Sequence, residues 1–232
     1  MPKHGKRYLA LAEKMEREKE YSLEEAIAMA KEFATAKFDE TIEMHFRLGI
    51  DPRQADEQIR TTVMLPNGLG KTVRVLVFAE GEDARAAEEA GADIIADDAI
   101  IAQIQNDGWT DFDAAIAVPS MMPKVGRLGR ILGPRSLMPT PKAGTVVQPS
   151  DLPRAIEELK SGRIEIRNDR TGNLHFPVGK ASFTTEALVE NAQVALDVVQ
   201  GHKPSGMKGI YMRRFVVTST MGPGIRVSSS GS

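Results

Sequence analysis

A chain of 232 residues is long for one domain and comfortable for two. Its 41% apolar content supports ordinary cores and excludes wholesale disorder, and the lack of cysteine removes disulfide and thiolate chemistry, as suits a reducing cytosol. The net charge of −2 argues mildly against nucleic-acid binding, but the charge is uneven: residues 67–160 carry 10 basic against 14 acidic side chains, whereas 161–232 carry 9 against 5.

In chain order, the basic N-terminus lacks the apolar core of a signal peptide, and residues 5–19 read as a short charged helix. Ser22 with Glu25 three residues on predicts a capping box that opens a helix with Ile27, Ala30 and Phe33-Ala34 buried. Lys37–Glu40 then leads into a strand. Ile42, Met44, Phe46, Leu48 and Ile50 alternate inward, with Thr41, Glu43, His45 and Arg47 outward. A further strand is expected over Thr61–Leu65, before a break at Pro66-Asn67-Gly68. From there the rhythm changes. Val73–Ala79 is a continuous apolar run, the mark of a strand covered on both faces. A helix (83–90), a short strand (93–96), a helix (98–106) and the strand Ala114–Val118 follow, which predicts βαβ units and a small parallel sheet. A helix near 120–130 leads into a glycine- and proline-rich loop to Val146, and the next helix is stopped by Gly162.

Gly162–Phe183 reads as a β-hairpin, with Ile164, Ile166, Leu174, Phe176 and Val178 buried and a polar turn at Asn168–Gly172. Thr184-Thr185 opens a long helix to about His202, and a last strand runs over Ile210–Ser219 to Thr220-Met221-Gly222-Pro223 and a loose SSSGS tail. Strands before 66 and after 162 thus form one α+β domain of residues 1–66 plus 161–232, with 67–160 inserted. No run approaches the roughly 18 apolar residues of a membrane-spanning helix.

Several motifs fail their chemistry. Asn67–Thr72 (NGLGKT) ends like a phosphate loop but has Leu65 where the first glycine belongs, and it precedes its strand. Gly126, Gly129 and Gly133 have the wrong spacing for a dinucleotide fingerprint. Asp107, Asp111 and Asp113 complete no calcium loop, and His4, His45, His175 and His202 lack metal spacing. No nucleophile motif is present, so neither a catalytic group, a cofactor nor a metal is expected.

What survives is a polar constellation over several strands. Lys37, Thr41, Glu43 and His45 are expected on one open face. The hairpin adds Arg163, Glu165, Arg167, Asn168, Asp169, Arg170, Thr171 and His175, with Lys180 past its exit. Thr220-Met221-Gly222 ends the last strand. On a shared sheet these give donors for phosphates and 2′-hydroxyls, acids for base amino groups, a glycine for close approach and an apolar methionine contact. That is the make-up of a shaped RNA surface.

The segments KFDET (Lys37–Thr41), GRIEIRNDRTG, Gly126–Val146 and TMGP (Thr220–Pro223) together resemble the bacterial large-subunit ribosomal protein L-one (stalk protein) family, from HGKRY at the start to TMGP near the end. Ser136 stands where that family's loop usually has glycine, and Thr140 where asparagine is common. The resemblance implies an α/β protein of two domains. A split α+β sandwich domain would carry the main rRNA site, and a Rossmann-like three-layer α/β domain would be inserted into it. It implies binding to the 23S rRNA stalk region beside the exit site, contact with departing E-site tRNA, and repression of its own mRNA through the leader. It also implies membership of the large subunit and a cytoplasmic, ribosome-bound protein that is a monomer when free. The rRNA contacts it implies are Lys37, Phe38, Thr41, the hairpin residues and Thr220–Gly222, with Ser182 and Ser219 beside them. Lys124, Arg127, Arg130, Arg135 and Lys142, in a stretch free of acids from 114 to 150, are the candidates for a second RNA or tRNA contact. The competing reading is a nucleotide-binding enzyme, for which Ala79–Asp83 is too acidic to cradle phosphate.

Overall fold

The computed structural model describes residues 5–204, 207 and 209–228. His4 and most of the SSSGS tail lie outside them. The fold is mixed α/β and separates into two compact units, residues 1–70 with 164–232, and residues 71–163.

In the first unit, α1 (Lys6–Ala12) is shorter than the helix expected over 5–19. α2 (Leu23–Phe33) begins with the full capping box: Ser22 Oγ accepts from Glu25 N, and Glu25 accepts from Ser22 N. β1 (Thr41–Leu48) shows the expected alternation. It is the second strand of an antiparallel sheet ordered β7–β1–β8–β9, built with β7 (Asn173–Lys180), β8 (Met212–Ser219) and β9 (Ile225–Val227). α2 and α8 (Thr185–Gly201) supply Ile27, Phe33, Leu188 and Leu196 to the core against the sheet's apolar face. Phe46 stacks there between Phe176 and Phe215, at centroid separations of 5.7 and 4.4 Å. Asn191, fully buried on α8, donates to Val178 O (2.8 Å) and Gly68 O (3.0 Å) and accepts from Asn67 N (3.0 Å). All of its capacity on those atoms is used, which lets a polar side chain sit in this core.

The expected hairpin does not form as a ladder. β6 (Arg163–Arg167) pairs with β2 (Arg60–Met64) in a separate two-stranded sheet, while β7 pairs with β1. A single bridge, Asn168 to Leu174, joins the two halves. The divergence has a local cause. Asn168 Oδ1 accepts from Ile59 N (2.7 Å) and Asn168 N donates to Ile59 O (3.1 Å), drawing the end of β6 toward the approach to β2. Asp169 then locks the turn by accepting from Thr171 N (2.8 Å), Thr171 Oγ1 (2.9 Å), Asn173 N (2.8 Å) and Asn173 Nδ2 (3.0 Å). Both strands still send their apolar residues into one core, so alternation alone could not separate the two pairings.

In the second unit, β3 (Val75–Phe78) is buried throughout and lies between β4 (Ile94–Ile95) and β5 (Ala114–Ala117) in a parallel sheet. Its helices are α3 (Glu82–Glu89), α4 (Asp98–Asp107), α5 (Met122–Arg127), α6 (Gly129–Leu132) and α7 (Leu152–Ser161). α5 and α6 replace the single helix expected near 120–130. Gly162 ends α7 at φ 112°, a conformation only glycine holds cheaply. Ser136 adopts φ 58°, the left-handed region that residues other than glycine seldom take.

Asp169 gives a stability test. Burial pushes its carboxyl up, but the Asn173 and Thr171 donors outweigh burial and hold it well below the usual carboxylate range. Its stabilisation is therefore complete above about pH 4 and lost as pH falls through the lowered value. Asp169→Ala is expected to cost about 1 kcal/mol at pH 7, limited because the side chain is two-fifths exposed. Urea unfolding at pH 7 and pH 2.5 checks it, the difference from the parent shrinking at the acid end.

Candidate nucleic-acid interface

The open face of the four-stranded sheet is ordered by strand register. Glu43 lies between Pro177 and Thr218, His45 between His175 and Val216, and Arg47 between Asn173 and Arg214. At one end, Lys180 Nζ donates to Thr41 Oγ1 (2.9 Å), and Thr41 N donates to Thr220 Oγ1 (2.9 Å). Lys37, expected on the open strand face, sits instead with Phe38 in the loop ahead of β1. Phe38 is 55% exposed and Met221 50%, so neither is a core residue, and both offer apolar surface to a ligand.

The device that builds this end is a residue the sequence reading passed over. Glu40 is 1% exposed and charged. Its Oε1 accepts from Ala36 N and its Oε2 from Met221 N, both at 2.8 Å, while its own carbonyl accepts from Ala181 N at 2.8 Å. Burial pushes its carboxyl up, and the Met221 and Ala36 N–H groups more than reverse that, leaving it lowered. Asp39 holds Ser182 beside it, accepting from Ser182 N (3.0 Å) and Ser182 Oγ (2.7 Å). A carboxylate followed by an alternating strand gives no signal of this kind in sequence.

In mid-face, His45 Nδ1 and His175 Nδ1 share a hydrogen bond at 2.9 Å, and Glu43 lies 3.6 Å from His45 Nε2. Asp169 Oδ2 is 3.8 Å from His175 Nε2. Burial, reinforced by the neighbouring His175 and opposed by Glu43, lowers the His45 pKa.

Several expected contacts belong elsewhere. Ser219 follows the inward parity of Phe215 and Val217 and is 1% exposed, so it is no surface contact. Gly222 does not serve close approach from outside: a Cβ there would point inward, 2.5 Å from Ser219 Oγ and 3.6 Å from Phe33 Cβ. Its missing side chain is a packing demand of the turn. Arg163, 16% exposed, spends its guanidinium on Glu158 Oε2 (2.9 Å) and Ala143 O (3.0 Å), tying α7 to the loop before it. Glu165 pairs with Arg60 at 2.5 Å. With β6 in its own sheet, Arg163, Glu165 and Arg167 do not share the face that carries His175. Asn168, Asp169 and Thr171 hold the turn, which presents Arg170 exposed at its tip.

In the second unit, Lys124 is held by Glu80 (2.5 Å) and Asp98 (3.0 Å), just past the C-terminal ends of β3 and β4. At that end of the strands, where open α/β sheets take ligands, these exposed side chains form an ion-paired cluster. Arg127, Arg130, Arg135 and Lys142 are exposed. Among the described residues no group of three or more acidic or histidine side chains is placed to hold a metal, and no helix is long and apolar enough to cross a membrane.

Such a chain, a mixed α/β fold with a polar sheet face, matches the model of the Ribosomal protein L1p/L10e family over residues 30–223. It is similar to the large ribosomal subunit protein uL1 of Chloroflexus aggregans, at 59% identity over 98% of this chain and 96% of that protein. The uL1 of Thermus thermophilus is 55% identical over 98% and 99%, and that of Thermosipho melanesiensis 54% over 98% and 97%. The chain belongs to the ribosomal protein L1 family, and it is not an enzyme.

The histidine pair predicts a pH effect. Folding disfavours protonated His45, so below its unfolded value near 6.5 the unfolded chain takes up a proton that the folded chain resists, and stability falls as pH drops. His45→Gln is expected to flatten the decline between pH 7.5 and 5.5, read as the urea midpoint at each pH.

Proposed function

We propose that this protein is a component of the large ribosomal subunit that binds 23S rRNA at the mobile stalk beside the exit site. In that place it assists release of deacylated tRNA, and it represses translation of its own mRNA by binding a similar structure in the leader. The family, and relatives named as large-subunit proteins that match over nearly their whole length, support this reading. The observation that carries it is the Glu40-built end of the sheet face, where Lys180, Thr41 and Thr220 are hydrogen-bonded in a row, Met221 is held by Glu40, and Phe38 is exposed in the loop that leads in.

The two compact units are taken as two domains: a split α+β sandwich holding the RNA face, and a Rossmann-like three-layer insert. Charge supports that division, since residues 67–160 carry a net −4. Arg127, Arg130, Arg135 and Lys142 on the insert are assigned to a secondary contact with tRNA or rRNA. The protein works bound to ribosomes in the cytoplasm and is a monomer when free.

A stalk-region fragment of 23S rRNA, titrated against the full-length chain, tests this. Phe38→Ala and Met221→Ala should each weaken binding by roughly 5- to 100-fold, the range for losing an apolar or stacking contact of about 1–3 kcal/mol. Both side chains are half exposed, so melting temperature should hardly move. Absence of binding by the parent, or wild-type affinity in both variants, would refute the reading.

A further inference from the structure

The opposite end of the same sheet face carries a feature that folding alone does not call for. Arg47 on β1 lies directly across from Arg214 on β8. Both are exposed, and like charges placed directly opposite in an antiparallel pair destabilise it. The register slips between Arg47 and Leu48, so that Arg213, also exposed, is the extra residue of a β-bulge. Its side chain runs over Gly49, where a Cβ would come within 3.2 Å of Arg213 Nε. Bulges re-aim side chains and recur beside binding sites.

Among the described residues, none of these three guanidinium groups has a carboxylate within ion-pair distance. The acids on the face are committed elsewhere. Glu43 lies 3.6 Å from His45 Nε2, and Asp169, beyond Asn173 on the neighbouring strand, is engaged by the donors of its own turn. Arg226, one strand further, lies 3.5 Å from Glu18. The core side of these strands, Phe46, Leu48 and Phe215, is fully packed without help from the arginines.

We infer that Arg47 and Arg214, with Arg213 beside them, form a phosphodiester-binding site that continues the RNA face of the proposed function, on which this inference rests. The chemistry favours a phosphate oxygen pair, because two planar guanidinium forks can each donate two hydrogen bonds to it. An external phosphate would also relieve the repulsion. Placement favours an RNA backbone as its source. Arg47 is six residues from Thr41 along one strand, about 20 Å at roughly 3.3 Å per residue, and the histidine pair lies between. One strand of RNA crossing the sheet would meet the hydroxyl-rich end, the histidines and the arginines in turn.

The test is a salt titration of full-length protein with the stalk-region 23S rRNA fragment, comparing the parent with Arg47→Gln/Arg214→Gln. Arg17→Gln/Arg53→Gln removes equal charge elsewhere on the same unit as a control. One or two lost phosphate contacts should make the slope of log affinity against log salt shallower by about 0.7–1.8. Low-salt affinity should fall about 10- to 100-fold in the Arg47/Arg214 variant and stay near that of the parent in the control. Its melting temperature at low salt should equal or exceed the parent's, which a merely structural role for the arginines would not give. A slope matching the control's, or affinity lost only together with melting temperature, overturns the inference. So does binding of inorganic phosphate at these arginines with the RNA slope unchanged, which would make it a free-phosphate site. Failure of the parent to bind the RNA would instead strike the proposed function beneath it.

Discussion

One buried carboxylate sets the architecture of the candidate interface. Glu40 draws three segments distant in sequence to a single point: the loop before β1 through Ala36, the exit of β7 through Ala181, and the turn after β8 through Met221. Burying a charge is tolerable only when its lone pairs are met, and here backbone N–H groups meet both oxygens. The arrangement also runs in reverse. Those part-buried N–H groups would lose their partners without the carboxylate, at about 1 kcal/mol each. Phe38, Thr41, Thr220 and Met221 therefore owe their mutual placement to a side chain that itself is hidden from any ligand.

The face built on this anchor is graded along β1. Its Glu40 end is rich in hydroxyls and apolar surface with a single lysine, its middle holds the hydrogen-bonded histidine pair, and its far end is cationic. Such grading suits recognition of a shaped polyanion better than general electrostatic adhesion, in keeping with a chain whose net charge is only −2. The two ends differ in what they cost the fold. The Glu40 end is tied into the fold by hydrogen bonds, while among the described residues the arginine end has no ion-pair partner within it.

Much of this was legible in sequence because period-2 and 3.6 patterns report burial directly. The alternation of β1, the Ser22–Glu25 box, the continuous apolar β3 and the Gly162 stop all stand where expected. The expected polar face was found in part. What sequence could not show was pairing. Ile164–Ile166 and Leu174–Val178 bury themselves in one core from two different sheets, and only the Asn168 and Asp169 hydrogen bonds decide it. β9 is three residues long, too short to register against the turn that precedes it. Ser219 and Gly222 looked like surface chemistry beside Thr220, but strand parity and the tight turn send both inward. Glu40 was invisible for the same reason: a glutamate's burial depends on donors 4 and 181 residues away.

Whether Glu40 holds the segments of the proposed RNA face in place is most directly tested by Glu40→Gln, measured for stalk-RNA affinity and for amide hydrogen exchange. The neutral amide can accept at one oxygen only, so one of the two backbone donors loses its partner. The expected result is about a tenfold or greater loss of affinity, equivalent to roughly 1.4 kcal/mol, with faster exchange at Met221 or Ala36 and unchanged protection in the centre of β1 and β8. Parental affinity in a variant whose Met221 or Ala36 amide has lost its protection would contradict it.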